Sequence, residues 1–147
     1  MINVKISSLT SFKAECMVVK SNVELKGFKS SEKCRALVDT GAAMTVIDKS
    51  LAEVLGVMYT GRERLLTSAT GHKLKGEIAM VREMIVEDEI LDYEKVLVVE
   101  FNEEVKKTLN SLNVHPLIIV GITTVELASL IPDITTGTLK KANAFLF

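Results

Sequence analysis

The segment ALVDTGAAMTVI, residues 36–47, sets a single carboxylate, Asp39, between two runs of apolar residues. Such flanks draw the aspartate toward the interior, where an isolated ionised carboxylate is very costly unless it is paired, hydrogen-bonded or protonated. A chain that carries this segment must therefore give Asp39 either a structural turn or a chemical use. Thr40 and Gly41 follow at once, so a tight loop is expected just where the charge sits.

The rest of the sequence narrows the setting. At 147 residues the chain suits one domain, 1–147, large enough to bury a core without disulfide or metal staples. Its 48% hydrophobic and 25% charged residues mark a globular chain. The 18 basic and 19 acidic residues are interspersed and give a net charge of −1, which offers no footprint for a phosphate backbone, so nucleic acid is not an expected partner. The start, MINVKISSLTSFK, lacks the apolar run of a signal peptide. No stretch approaches the roughly 18 apolar residues of a bilayer span, so the chain reads as cytoplasmic, with no membrane partner.

Metal and redox chemistry find little support. Cys16 and Cys34 are too few for a disulfide framework and lie in no CxxC pair, so both read as reduced, small core residues. His72 and His115 have no ligand-type spacing around them and read as solvated or locally bonded. The acidic run Glu87, Asp88, Glu89, Asp92 and Glu94 lacks the alternation and glycine of a calcium loop and reads as a solvated turn. No metal and no cofactor are expected.

Strand character dominates the pattern. Residues 14–25 and the run CRALV form a hairpin around a polar turn at 27–33, and the hairpin leads into Asp39. TVI at 45–47 continues as a short buried strand. Asp48 then caps a helix over residues 49–55, which Gly56 closes. Residues 62–81 read as a second hairpin with a polar tip at 68–73. KVLVVEF at 95–101 is a strand, followed by a helix capped by Asn102 whose charge order, Glu103 and Glu104 before Lys106 and Lys107, suits the helix dipole. PLIIVG is an apolar strand ending at Gly121, and Thr123 or Thr124 is placed to cap a helix over 125–131. The end, TLKKANAFLF, returns to strand character, and its last three large apolar residues call for a partner surface.

The segment LVDTGAAMTVI resembles the active-site signature of retroviral-type (retropepsin-like) aspartic proteases: two apolar residues, Asp-Thr-Gly-Ala, and then, after a short gap, Thr-Val-Ile. A second mark of that family is an apolar-apolar-Gly segment followed by a short helix, and Ile119-Val120-Gly121 before ITTVELASLI is similar to it. The resemblance implies a mainly β, single-lobe acid-protease β-barrel with two or three short helices. It places Asp39 as the catalytic residue, Thr40, Gly41 and Ala42 in the active-site loop, Ala69, Thr70, Gly71 and His72 at a flap tip, and Gly121 in a structural segment.

Metal-free hydrolysis of a peptide bond needs an activated water and a protonated carbonyl oxygen, and two carboxyls sharing one proton supply both. This chain has one Asp-Thr-Gly. Asp133-Ile134-Thr135-Thr136-Gly137 inserts residues between Asp and Gly, follows Pro132 and reads as a turn. The resemblance therefore implies a two-fold homodimer, with one Asp39 from each subunit, acting on an extended peptide or protein substrate. By the same resemblance the terminal strands of the two subunits interleave.

Two positions depart from the family pattern. Ala43 stands where an acidic residue is common and Ile122 where an Arg is common, so the ion pair those residues form is missing, and the flap tip SATGHK lacks the family's usual glycines or tyrosine. These departures motivate an alternative, a catalytically weak dimeric peptide-binding or scaffolding module with the same fold. A phosphate-binding turn of the sugar-kinase and actin-like type is disfavoured because those folds need far longer chains.

Overall fold

The computed structural model describes residues 18–67 and 73–142. Its uninterrupted apolar runs are strands buried on both faces, the expected composition for a sheet with a core layer on each side. Leu37 packs into one apolar cluster and Val38 into the other. The same alternation divides Ile119 from Ile118 and Val120, Val46 from Ile47, and Leu97 from Val98. Apolar residues are needed at every position of such strands because neither face meets water.

β1 (Val19–Lys26) and β2 (Ser31–Asp39) form an antiparallel hairpin, with Val19 opposite Val38 and Lys26 opposite Ser31. The turn is shorter than expected. Ser31, Glu32 and Lys33 already pair with β1, because the outer half of β2 is exposed and polar side chains there leave the backbone ladder undisturbed. At its inner end β2 lies parallel to β9 (Ile118–Gly121), which also pairs antiparallel with β3 (Val46–Asp48). β3 pairs parallel with β8 (Lys95–Val99), and β8 leads through β5 (Lys73–Met80) to β4 (Met58–Thr67). On the other flank β1 pairs with β6 (Glu83–Val86), which pairs with β7 (Glu89–Asp92). The curled nine-stranded sheet has β4 and β7 as its edges, and β10 (Leu130–Asp133) and β11 (Thr138–Lys141) form a separate two-stranded ribbon.

Three helices complete the described residues: α1 (Lys49–Leu55), α2 (Glu103–Ser111) and α3 (Ile122–Leu127). α1 buries Leu51, Ala52 and Leu55 on one face of the sheet, and α2 buries Val105 and Leu109 on the other. Asn102 caps α2 by accepting from the Val105 N–H at 2.8 Å. Gly56 closes α1 at φ 74°, a left-handed conformation in which a side chain is strained.

Two sequence expectations are corrected here. The acidic run does turn, at Glu87 and Asp88, but its flanks are strands, β6 and β7, paired into a hairpin around that turn. The Glu87 carboxylate is not merely solvated, because it accepts from the Asn22 N–H at 2.8 Å and the Ser21 hydroxyl at 3.0 Å, fastening the turn to β1. The last helix begins at Ile122 and ends at Leu127, with Leu130 and Ile131 in β10, and neither Thr123 nor Thr124 is its N-cap. Gly121 holds that position with no side-chain cap, for a reason that belongs to the site below.

Asp48 joins the two core layers. It is 3% exposed, caps α1 through the Ser50 N–H and hydroxyl, and accepts from the Phe101 N–H at 2.7 Å. Burial alone would raise its carboxyl, but hydrogen bonds from the Ser50 side chain and from the backbone of Phe101 and Ser50 outweigh it and hold the group below its ordinary 3.8. Asp48→Ala removes a cap and orphans a buried N–H, and is expected to cost about 2–4 kcal/mol in denaturant unfolding. A lowered folded value means the contribution is fully present above the unfolded value of 3.8 and is lost as pH falls through the lower folded one. The scaffold is thus expected to keep this support at mildly acidic pH, and the stability of the parent should converge on that of the variant only at stronger acid.

Candidate active site

Asp39 ends β2 directly opposite Gly121, the last residue of the parallel strand β9. Two adjacent parallel strands thus finish side by side, one delivering the carboxylate and the other the glycine. The Asp39 residue is 5% exposed, and its Oδ1 accepts from the Gly41 N–H at 2.9 Å, while the main-chain carbonyl accepts from the Ala42 N–H at 3.0 Å. Among the described residues its second oxygen, Oδ2, is buried and has no hydrogen-bond partner. Leaving such an acceptor unmade costs about 1–3 kcal/mol, more if it is charged, so the arrangement calls for a further partner.

The loop after Asp39 is held from behind by α3. The first N–H groups of any helix lack partners within it. Here the Ile122 N–H donates to the Ala42 carbonyl at 2.8 Å and the Thr123 N–H to the Ala43 carbonyl at 3.2 Å, with the Thr123 hydroxyl donating to the same carbonyl. The site loop therefore caps the helix, which explains why Gly121 needs no capping side chain. Main-chain hydrogen bonds, Ile122 to Ala42 and Thr123 to Ala43, thus join the two segments in a chain that lacks an ion pair between positions 43 and 122. Gly121 is required for space, since a Cβ at this position would lie 2.3 Å from the Met44 carbonyl carbon and oxygen.

The structure sets the Asp39 loop, with Thr40, Gly41 and Ala42, beside the segment Ile119-Val120-Gly121 through the pairing of β2 with β9. Thr40 and Gly41 are exposed at the loop tip, and Ala42, Ile119, Val120 and Gly121 are buried. The flap tip, Ala69 to His72, lies outside the described residues, as do Cys16 and the apolar tail Phe145, Leu146 and Phe147. The arms β4 and β5 that lead toward the tip pair as expected, from Met58 opposite Met80 to Thr67 opposite Lys73. Asp133 forms a turn, accepting from the Thr135 N–H at 2.9 Å and from Lys140 Nζ at 2.7 Å, and the Lys140 contact with the Thr135 bonds holds its carboxyl far below the usual carboxylate range.

Other titratable groups have local roles. His115 accepts from the Leu117 N–H through Nδ1 at 3.1 Å and places Nε2 3.3 Å from Glu32. Burial, with Glu32 nearby, pushes the Cys34 thiol up to about 12, which leaves it protonated and a poor nucleophile near neutral pH. Among the described residues no group of three His, Cys, Asp or Glu side chains is gathered to hold a metal ion, and no helix is long and apolar enough to cross a membrane.

What sequence reasoning missed lies just behind the loop. Thr45 and Thr124, 0% and 1% exposed, hydrogen-bond to each other at 2.7 Å, and Thr45 Oγ1 accepts from the Gly121 N–H at 3.1 Å. Thr124 in turn donates to Glu94 Oε2 at 2.9 Å. The usable signal was two threonines set in otherwise apolar segments, where a buried hydroxyl must find a partner.

Comparison with known proteins follows the same lines. The family model described as gag-polyprotein putative aspartyl protease matches residues 25–124. No curated protein matches the chain. Among solved structures, a retropepsin-like aspartic protease from Rickettsia conorii is similar with a TM-score of 0.49 and 19% identity, over 74% of this chain and 78% of that one. The retroviral protease-like domain of Ddi1 from Leishmania major has a TM-score of 0.49 and 15% identity, over 86% and 90% of the two chains. The EIAV protease, solved with the inhibitor HBY-793, has a TM-score of 0.46 and 14% identity, over 74% and 84%.

Proposed function

The chain belongs to the retropepsin-like gag-polyprotein aspartyl protease family, and from that premise we propose that it is an aspartic endopeptidase working as a homodimer, with Asp39 of each subunit forming one catalytic pair. The whole chain, 1–147, serves as one lobe. The observation that carries the reading is the buried Oδ2 of Asp39, which among the described residues has no hydrogen-bond partner, on a loop braced by α3. A second Asp39 across a two-fold axis would give that oxygen a shared proton, and the chain offers no second Asp-Thr-Gly of its own.

In this mechanism the ionised carboxyl takes a proton from water as the water oxygen attacks the peptide carbonyl carbon. The protonated carboxyl gives its proton to the carbonyl oxygen. Collapse of the tetrahedral species breaks the C–N bond, the amine leaves with the proton first taken from water, and a hydroxyl of the collapsing gem-diol returns its proton to the pair, which restores the single shared proton. The Gly41 N–H, bound to Oδ1, holds the carboxylate in a fixed orientation within the loop. Because Asp39 is 5% exposed in the single chain, the account requires the assembled dimer to open a path for substrate above Oδ2.

That same burial favours the second reading, a dimeric peptide-binding module with little hydrolysis. The deciding experiment pairs solution mass with hydrolysis of a diverse peptide library from about pH 3 to about pH 7. A dimer is expected, with turnover highest at mildly acidic pH and falling as the pair loses its last proton. Peptide binding without cleavage across that range would establish the binding module, and a strict monomer that cleaves would overturn the shared pair.

A further inference from the structure

Resting on that reading, we propose that Glu94 is a positioning residue for Asp39, acting through the buried hydroxyls of Thr124 and Thr45. The relay has a single consistent polarity. A carboxylate can only accept, so Thr124 Oγ1 donates to Glu94 Oε2 at 2.9 Å. A backbone N–H can only donate, so Thr45 Oγ1 accepts from Gly121 at 3.1 Å. The 2.7 Å contact between the two hydroxyls must then run from Thr45 to Thr124. Each hydroxyl gives one hydrogen and takes one, and the chain ends on a charge that fixes the direction and polarises every bond behind it.

The relay acts on the site through the residue it ends on. Gly121 is the register partner of Asp39, and the helix it starts donates to the carbonyls of Ala42 and Ala43 in the site loop. Glu94 lies between β7 and β8, far from that loop in sequence, and is half-buried. Its main-chain carbonyl accepts from the Val81 N–H at 3.0 Å, so the side chain is anchored before it reaches Thr124. Without an acceptor at Glu94, the Thr124 hydroxyl is free to turn. The Thr45 bond to Gly121 then loses its directional partner, and the Asp39–Gly121 register loosens.

The test compares Glu94→Ala with Glu94→Gln in the full chain, since glutamine retains a neutral acceptor oxygen at the same reach. In Glu94→Ala the Gly121 amide is expected to exchange with solvent about tenfold faster, while the amides of Ile47 and Val98 in the central strands keep their protection. In the same variant kcat should fall about tenfold with KM and solution mass unchanged, and Glu94→Gln should restore most of both. Unchanged Gly121 exchange in Glu94→Ala overturns the relay, whatever happens to turnover. Faster exchange spread equally over Ile47 and Val98 overturns it in favour of general loosening. Faster Gly121 exchange with unaltered kcat overturns the link to Asp39. If the parent chain cleaves nothing, the endopeptidase reading fails separately, and the exchange measurement still decides whether Glu94 holds the loop.

Discussion

Asp39→Asn is expected to lower peptide turnover by more than about ten-thousandfold while leaving fold and subunit association in place. The substitution keeps the shape of the side chain, and its amide oxygen can still accept from the Gly41 N–H that now binds Oδ1 at 2.9 Å. What it removes is the ability to take a proton from water and to hold one for the carbonyl. In a symmetric pair each substitution is counted twice, so both the base and the acid are lost at once. The side chain is also 5% exposed, so the amide enters a site built for a carboxylate that lacks one partner. Removing a charge there relieves desolvation, and denaturant unfolding should show a variant at least as stable as the parent. Hydrolysis undiminished in the variant would remove Asp39 from the chemistry.

Gly121→Ala is expected to damage both the fold and the site through a single methyl group. The added Cβ would sit 2.3 Å from the Met44 carbonyl carbon and oxygen and 2.8 Å from the Thr45 nitrogen, inside the 3.0 Å that real Cβ contacts essentially never breach. All three are backbone atoms, so no side chain can turn away. The loop must move off β9, which breaks the Gly121–Thr45 bond and the two main-chain bonds that cap α3. Overpacking plus lost caps should cost about 3 kcal/mol or more and lower Tm by about 6–12 °C, with turnover lost in the surviving folded fraction. A calorimetric Tm within about a degree of the parent would show that the loop is not clamped as described.

Much of this was legible in the sequence, for physical reasons that differ from segment to segment. The Asp39 loop and the Gly121 segment stand out because chemistry fixes residue type there: a carboxylate amid apolar neighbours, and a position with no room for Cβ. α1 and α2 were legible from Asp48, Gly56 and Asn102, since caps are local and write themselves into adjacent residues. α3 was misplaced because its cap is not local. Its N–H groups are satisfied by carbonyls some eighty residues earlier in the chain, and the threonines that resembled caps are spent instead on Ala43 and on the relay. Glu94 was hidden by composition, as one acid in an acidic stretch, and only the fold shows which of them turns inward. The β6–β7 hairpin was missed for a related reason: half-exposed strands carry charges freely, and Glu83, Glu89 and Asp92 masked the alternation of Met84 and Val86 toward the core.

The central claim is that one active centre takes one Asp39 from each of two subunits, and co-refolding of parent chain with Asp39→Asn chain at fixed total concentration tests it most directly. If both carboxyls are required, peptide hydrolysis falls with the square of the parent fraction, because mixed dimers are silent. A decline in simple proportion to the parent fraction would mean that each chain carries a complete centre, and would contradict the account.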